Sequence, residues 1–194
     1  MTDLLIESQT LEDRLRSVLP GDVDYASVRL VDERSEHLTV RRNQLEPIFN
    51  EFDTGVMNSI WNDGGLGYAA TTDHSEARLI AAVERARYWA TVTAGSMVTT
   101  AAPRNHATGT YVSPVEVTWD TLPLADRIDL LQQQSRLLGI DDRIVNWGAS
   151  LLRRDVDQLL LTRSKVGATG RIEQRVRFVY PSLQATANEG TNTQ

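Results

Sequence analysis

A two-residue alternation of apolar and polar side chains between Tyr25 and Asp73 constrains this chain more than any other feature. That period is satisfied by strands with one wet and one buried face. In Tyr25-Ala-Ser-Val-Arg-Leu-Val31, the residues Ala26, Val28 and Leu30 alternate with Tyr25, Ser27 and Arg29. His37 to Arg41 and Gln44 to Phe49 repeat the pattern more weakly about the polar turn residues Arg42 and Asn43. Val56 to Trp61 and Leu66 to Thr71 flank Asn62-Asp-Gly-Gly65, whose Asp-Gly pair suits the positive φ angles of a tight hairpin. The expectation is an antiparallel meander of short strands.

Helical spacing brackets the meander. Leu4, Leu5, Leu11, Leu15, Val18 and Leu19 fall on one stripe that Pro20-Gly21 ends. After the meander, Asp73-His-Ser-Glu76 reads as a capping box, and Leu79, Ile80, Val83, Ala86 and Ala90 form the buried face of a second helix. Thr91 to Pro114 turns to Thr, Ala, Gly, Ser and Pro, which describes a connector without a strand. Ser113 to Trp119 reads as an extended edge, because Pro114 removes a ladder donor. Thr121 can cap a third helix with Pro123 in its first turn, Leu124, Ile128, Leu131 and Leu138 inward, and a stop at Gly139.

The last third predicts strands at Arg143 to Leu152, Asp157 to Arg163, Arg171 to Tyr180 and Ser182 to Ala187. Their separators are Arg153-Arg-Asp155, Gly167-Ala-Thr-Gly170 and Pro181, and no internal repeat is present. The implied class is α+β, a mostly antiparallel sheet or sheets with helices packed on one face. One domain over residues 1–194 is expected, with a subdivision into 1–92 and 110–194 about the connector as the alternative.

Bulk properties exclude several function classes. A formal charge of -6 is the wrong sign for a phosphate-binding footprint, and Arg41-Arg42 and Arg153-Arg154 read as solvated strand ends, so no nucleic acid is expected. The chain has 0 cysteines, which removes disulfides, thiolate catalysis and Cys-ligated metal. The opening MTDLLIESQTLEDRL carries acids where a signal peptide needs bases, and no apolar run reaches membrane length. A cytoplasmic location, without membrane association, is the expectation.

The order of motifs in the meander carries a resemblance. Tyr25-Ala-x-x-Arg29, Ser35-Glu-x-Leu-x-Val40, Asn43-x-Leu-Glu46, Asp53-x-Gly-Val56, Trp61-x-x-Gly-Gly-x-Gly-Tyr-Ala69 and Thr72-Asp-x-Ser75 together are similar to the N-terminal domain of the TldD/PmbA family. That family was once described as modulators of DNA gyrase and is regarded as metallopeptidases. The likeness continues more thinly through Tyr111, Pro114, the helix from Leu124 and Gly170-x-x-x-Gln174. It implies a C-terminal catalytic domain outside this chain, a zinc ion in that domain, and a homodimer or heterodimer whose cavity admits unfolded or extended peptide. The polar tail Ala187 to Gln194 is then either a frayed end or a strand connection cut midway.

Within the chain, the catalytic pattern of the family is missing. The zinc helix of the TldD branch reads His-Glu-x-x-x-His, two imidazoles one turn apart with a Glu as general base. The 3 histidines, His37, His74 and His106, are not followed by Glu. The resemblance therefore transfers no catalytic, metal or cofactor residue to any position here. Glu33, Glu36 and His37 fall on a wet strand face, and the capping box accounts for Asp73 and Glu76 beside His74. Gly64-Gly65-Leu66-Gly67 precedes a strand, whereas a phosphate loop opens a helix. Ser164-Lys165 is a lone dipeptide in a turn, and Trp61, Trp89, Trp119 and Trp147 suit a core better than a peptide groove. The leading expectation is a non-catalytic N-terminal domain of a zinc peptidase. The alternatives are a zinc-free scaffold subunit of the PmbA branch that pairs with a zinc-bearing one and, least favoured, a small free-standing enzyme with a closed pocket.

Overall fold

A computed structural model of the chain describes residues 2–98, 105–190 and 192–193, with the backbone alone described for residues 2–9, 192 and 193. The helices are α1 (Thr2–Val18), α2 (Glu76–Thr93) and α3 (Leu124–Arg136). The strands are β1 (Tyr25–Arg41), β2 (Gln44–Leu45), β3 (Phe49–Asn62), β4 (Gly65–Thr71), β5 (Thr108–Val112), β6 (Ile144–Arg163), β7 (Thr169–Glu189) and β8 (Asn192–Thr193). They pair in the order β4-β3-β1-β6-β7-β5, with β2 on β1 and β8 on β7. The class is α+β and the sheet mostly antiparallel, as expected, although β5 joins β7 in parallel. No helix among the described residues is long and apolar enough to cross a membrane.

The residues gather into two compact units, each made of three segments: Met1–Asp32, Asp53–Val112 and Asp157–Arg175, and Glu33–Phe52, Ser113–Val156 and Val176–Gln194. A cut between residues 92 and 110 would leave pieces of both units on its N-terminal side. β1, β3, β6 and β7 each contribute to both.

In the first unit, alternation works as the sequence suggests. Ala26 and Val28 of β1, Val56 and Ile60 of β3, Ala69 of β4 and Leu161 of β6 meet Leu15, Leu19 and the apolar stripe of α2. That stripe is Leu79, Ala82, Val83, Ala86 and Ala90; Ile80, expected inside, is 46% exposed because the helix turns Ala82 inward instead. Small residues there allow backbone to meet backbone. A Cβ on Gly65 would sit 1.8 Å from the Ala90 carbonyl oxygen, and one on Gly67 would sit 1.9 Å from that of Ala86. The Thr93 hydroxyl accepts from the Leu66 N–H at 2.9 Å and donates to the Leu66 carbonyl at 2.8 Å, tying the helix end to the hairpin. Asp63 (φ 50°) and Gly64 (φ 79°) form the primed turn that Asn62-Asp-Gly-Gly65 predicts.

Two local expectations shift. The N-cap of α2 is Ser75 with no side-chain cap bond, so Glu76 is the first helical residue and cannot close a capping box. Asp73 instead accepts the Ser75 N–H at 2.9 Å. The expected connector contains β5, whose residues Thr108–Val112 align with Arg171–Arg175. Its Thr-Gly composition hides it, because the strand exists only through hydrogen bonds to β7. Residues 99–104 of that connector, and the Leu4 and Leu5 side chains, lie outside the described residues.

In the second unit, Arg42 (φ 49°) and Asn43 (φ 68°) turn β1 into β2, as their polarity suggests. Leu38, Val40, Ala149, Leu151 and Leu131 form the core, with Ile48 and Trp119 against it. α3 starts at Leu124 after Pro123 as N-cap, not Thr121, and Leu124 is exposed. Thr121 belongs to a short 3-10 turn, and its hydroxyl pairs with that of Thr118 at 2.8 Å. Ser113 to Trp119, expected as an edge, is not a strand.

Strand length departs most from expectation. β1 runs unbroken through Asp32-Glu-Arg-Ser35, β6 through Arg153-Arg-Asp155 and β7 through Pro181. Charges that look like turn residues are paired instead: Arg154 grips Glu33 with both guanidinium arms, Nη2 at 2.6 Å, and Arg153 and Arg177 flank Asp155. Pro181 is tolerated because β5 leaves β7 at Arg175, and an edge needs no N–H from every residue.

Two outcomes follow from the first unit. Gly67→Ala should lower stability by about 1–3 kcal/mol through overpacking against α2, measured by thermal denaturation against Gly109→Ala, a position with open space around it and an ordinary backbone conformation. The second concerns acid. Arg171 holds the Glu12 carboxyl below its usual value of 4.5, so Glu12 stabilises the fold fully above that pH and progressively less as pH falls through its folded pKa. Glu12→Gln should flatten that acid limb in urea denaturation between neutral and acid pH.

Candidate functional site

The second unit holds a cleft of about 450 Å³, lined by Arg34, Ser35, Glu36, Asn50, Glu51, Phe52 and Arg153. Neighbouring strands build it: β1 supplies the first three residues, β3 the next three, and β6 supplies Arg153. Phe52 is 60% exposed, and the Arg34 guanidinium lies 5.6 Å from its ring centroid. Such stacking fixes a cation over an aromatic face while leaving its N–H groups accessible.

At the back of the cleft, Glu36 is committed. Its carboxylate accepts from Arg127 of α3 and from the Trp119 Nε1–H at 3.2 Å, and the Arg127 guanidinium stacks 4.5 Å from the Trp119 ring centroid. Glu36, expected on a wet face, thus retains only 18% side-chain exposure and Arg127 only 9%. Arg127 escaped sequence reading, although a signal was there: with Leu131 and Ser135 it forms the i, i+4, i+8 buried row of α3. Arg153 is likewise engaged, by Asp155 and at 4.0 Å by Asp120.

The remaining candidates are dispersed. His37 faces Thr39 at 3.4 Å. His106 bonds Thr162 at 2.8 Å beneath the Tyr25 ring, and the His74 carbonyl accepts from Arg14 at 2.8 Å. Among the described residues, no three His, Asp or Glu side chains are grouped so as to hold a metal ion. Lys165 pairs with Asp24 at 2.5 Å, and Ser164 is buried beside it. Trp61 fills the core, whereas Trp89 is 43% exposed and Trp119 and Trp147 are half-buried, the last stacked on Arg42. A second, polar cleft of about 260 Å³ lies along Thr39, Asn146, Ser150, Ser182 and Gln184. No nucleophile, base and orienting acid converge in either cleft.

The cleft wall makes a stability prediction. Arg127→Met should cost about 3–5 kcal/mol by stranding Glu36, and adding Glu36→Gln should recover much of that loss, because the carboxylate then no longer lacks its cation. A double-mutant cycle in denaturant measures the coupling.

Comparison with known proteins bears on the fold. Residues 26–90 match the family model described as PmbA/TldA metallopeptidase domain 1. Solved structures are similar as well. One, from Thermotoga maritima and described as a modulator of a DNA gyrase, has a TM-score of 0.61 at 13% identity over 95% of this chain and 41% of that one. A Bacteroides thetaiotaomicron protein described in the same way gives 0.64 at 19% identity, again over 95% and 41%. TldE from Thermococcus kodakarensis gives 0.57 at 13% over 96% and 40%. These identities speak for the fold alone, and the chain spans about two fifths of each of those proteins. No curated protein matches. Over residues 26–90, which hold the meander and most of α2, the chain is similar to the first domain of the PmbA/TldD family.

Proposed function

We propose that the chain is the non-catalytic N-terminal domain of a TldD/PmbA-type metalloprotease that cleaves unfolded or extended peptides within a dimer. The observation that carries this reading is the family match over residues 26–90, on a fold shared along 95% of the chain with proteins more than twice its length. The described side chains do not fit zinc: His37 and His106 are engaged by hydroxyls, and no carboxylate joins either. Bond cleavage is therefore assigned to polypeptide beyond these residues, and the role left for this domain is to hold and orient peptide. Sheet edges and shallow clefts suit that task, since extended backbone is recognised by strand addition and alternate side chains by pockets.

Zinc content and hydrolysis of unfolded peptides test the reading. The 194-residue chain should show neither, and a longer protein that carries it should show both and lose hydrolysis on chelation. A longer protein free of zinc and inactive would mark the zinc-free scaffold of the family instead. Stoichiometric zinc on this chain alone would overturn the assignment.

A further inference from the structure

Strand β4 reaches β3 only as far as Val56. β3 pairs with β1 on its other side, and on the β4 side Phe49–Phe52 has, among the described residues, no strand. An unpaired edge is a template for another strand, and proteins blunt such edges with charge, proline or a covering element. Pro47, Glu46 and Glu51 stand here as guards, yet Phe49 and Phe52 are 58% and 60% exposed between and beside them. Two large aromatic side chains left in water on an open edge signal an interaction surface.

The chemistry around that edge selects the occupant. Two charged groups of the cleft are spent, Glu36 on Arg127 and Trp119, and Arg153 on Asp155. Arg34 lies against the Phe52 ring. The carboxylates of Glu46 and Glu51 have no hydrogen-bond or ion-pair partner among the described residues. Phe52 and Glu51, adjacent in a strand, point to opposite faces. A strand laid along this edge would thus meet the exposed Phe52 ring on one face and an unpaired carboxylate on the other, both residues belonging to the cleft lining.

We propose that the edge Phe49–Phe52 takes an extended peptide in which basic and apolar residues alternate, paired through its backbone, with an apolar side chain on Phe52 and a Lys or Arg beside Glu51. The proposal rests on the peptide-holding role above and names its place and its ligand class.

Fluorescence polarisation with labelled Lys-Leu-Lys-Leu-Lys-Leu and Glu-Leu-Glu-Leu-Glu-Leu peptides tests it, on the zinc-free chain. The basic peptide should bind at least about tenfold tighter, and Glu51→Lys, an exposed change that spares folding, should reverse that preference. Methylating alternate backbone nitrogens of the peptide should abolish binding for one set and spare the other, because only every second N–H faces the protein. Equal binding of both charge types, or equal tolerance of both methylated sets, would overturn strand addition here. So would sedimentation showing that the edge is already filled by a second copy, with a dimer that Glu51→Lys dissociates. None of these readouts involves hydrolysis, so this edge and the peptidase reading fail separately.

Discussion

The alternation carried by β1 is the constraint on which the structure depends. Its first half gives Ala26 and Val28 to one core, and its second half gives Leu38 and Val40 to another. A slip of one residue would turn all four into water and bring Arg29, His37 and Thr39 inward. Every other strand is placed directly or through neighbours by hydrogen bonds to β1, so register is specified twice over. The first core is closed by α2 resting on the bare backbone of Gly65 and Gly67, and the second by Leu131 of α3.

Paired charges run through the long strands. Glu33 and Arg154, Arg153 with Asp155, and Glu36 with Arg127 occupy places where turns would otherwise be expected or where a helix must be seated. The partly exposed Glu33–Arg154 pair contributes about 0–1 kcal/mol, since solvent screens it. The more buried Glu36–Arg127 pair has more weight in specifying where α3 sits, because an unpaired member would be stranded in a dry place. This pair also shapes the cleft: by holding Glu36, Arg127 removes one negative charge from the wall and leaves Glu51 as the carboxylate that faces solvent.

The described residues present clefts and an open edge in place of a reactive constellation. The described histidines are scattered and bonded to Thr hydroxyls or packed by backbone contacts, and the clefts lack a converging nucleophile and base. An open edge with aromatic side chains can hold a chain without reacting with it, which is the role proposed above.

Much of this was legible in the residues. Alternation located the meander, Asn62-Asp-Gly-Gly65 and Arg42-Asn43 located its turns, and the ordered motifs from Tyr25 to Ser75 pointed to the family. All of these are local, set by φ preferences and by periods of a few residues. Strand continuity, β5 and the burial of Arg127 depended on the tertiary structure. Glu33 meets Arg154 across 121 positions and Arg127 meets Glu36 across 91, and no local period encodes a partner at that range. The sequence by itself determined which segments alternate and where they turn; only the tertiary structure decided which charges are neutralised, which strands run on, and which aromatic side chains stay in water, because those depend on neighbours supplied by distant chain.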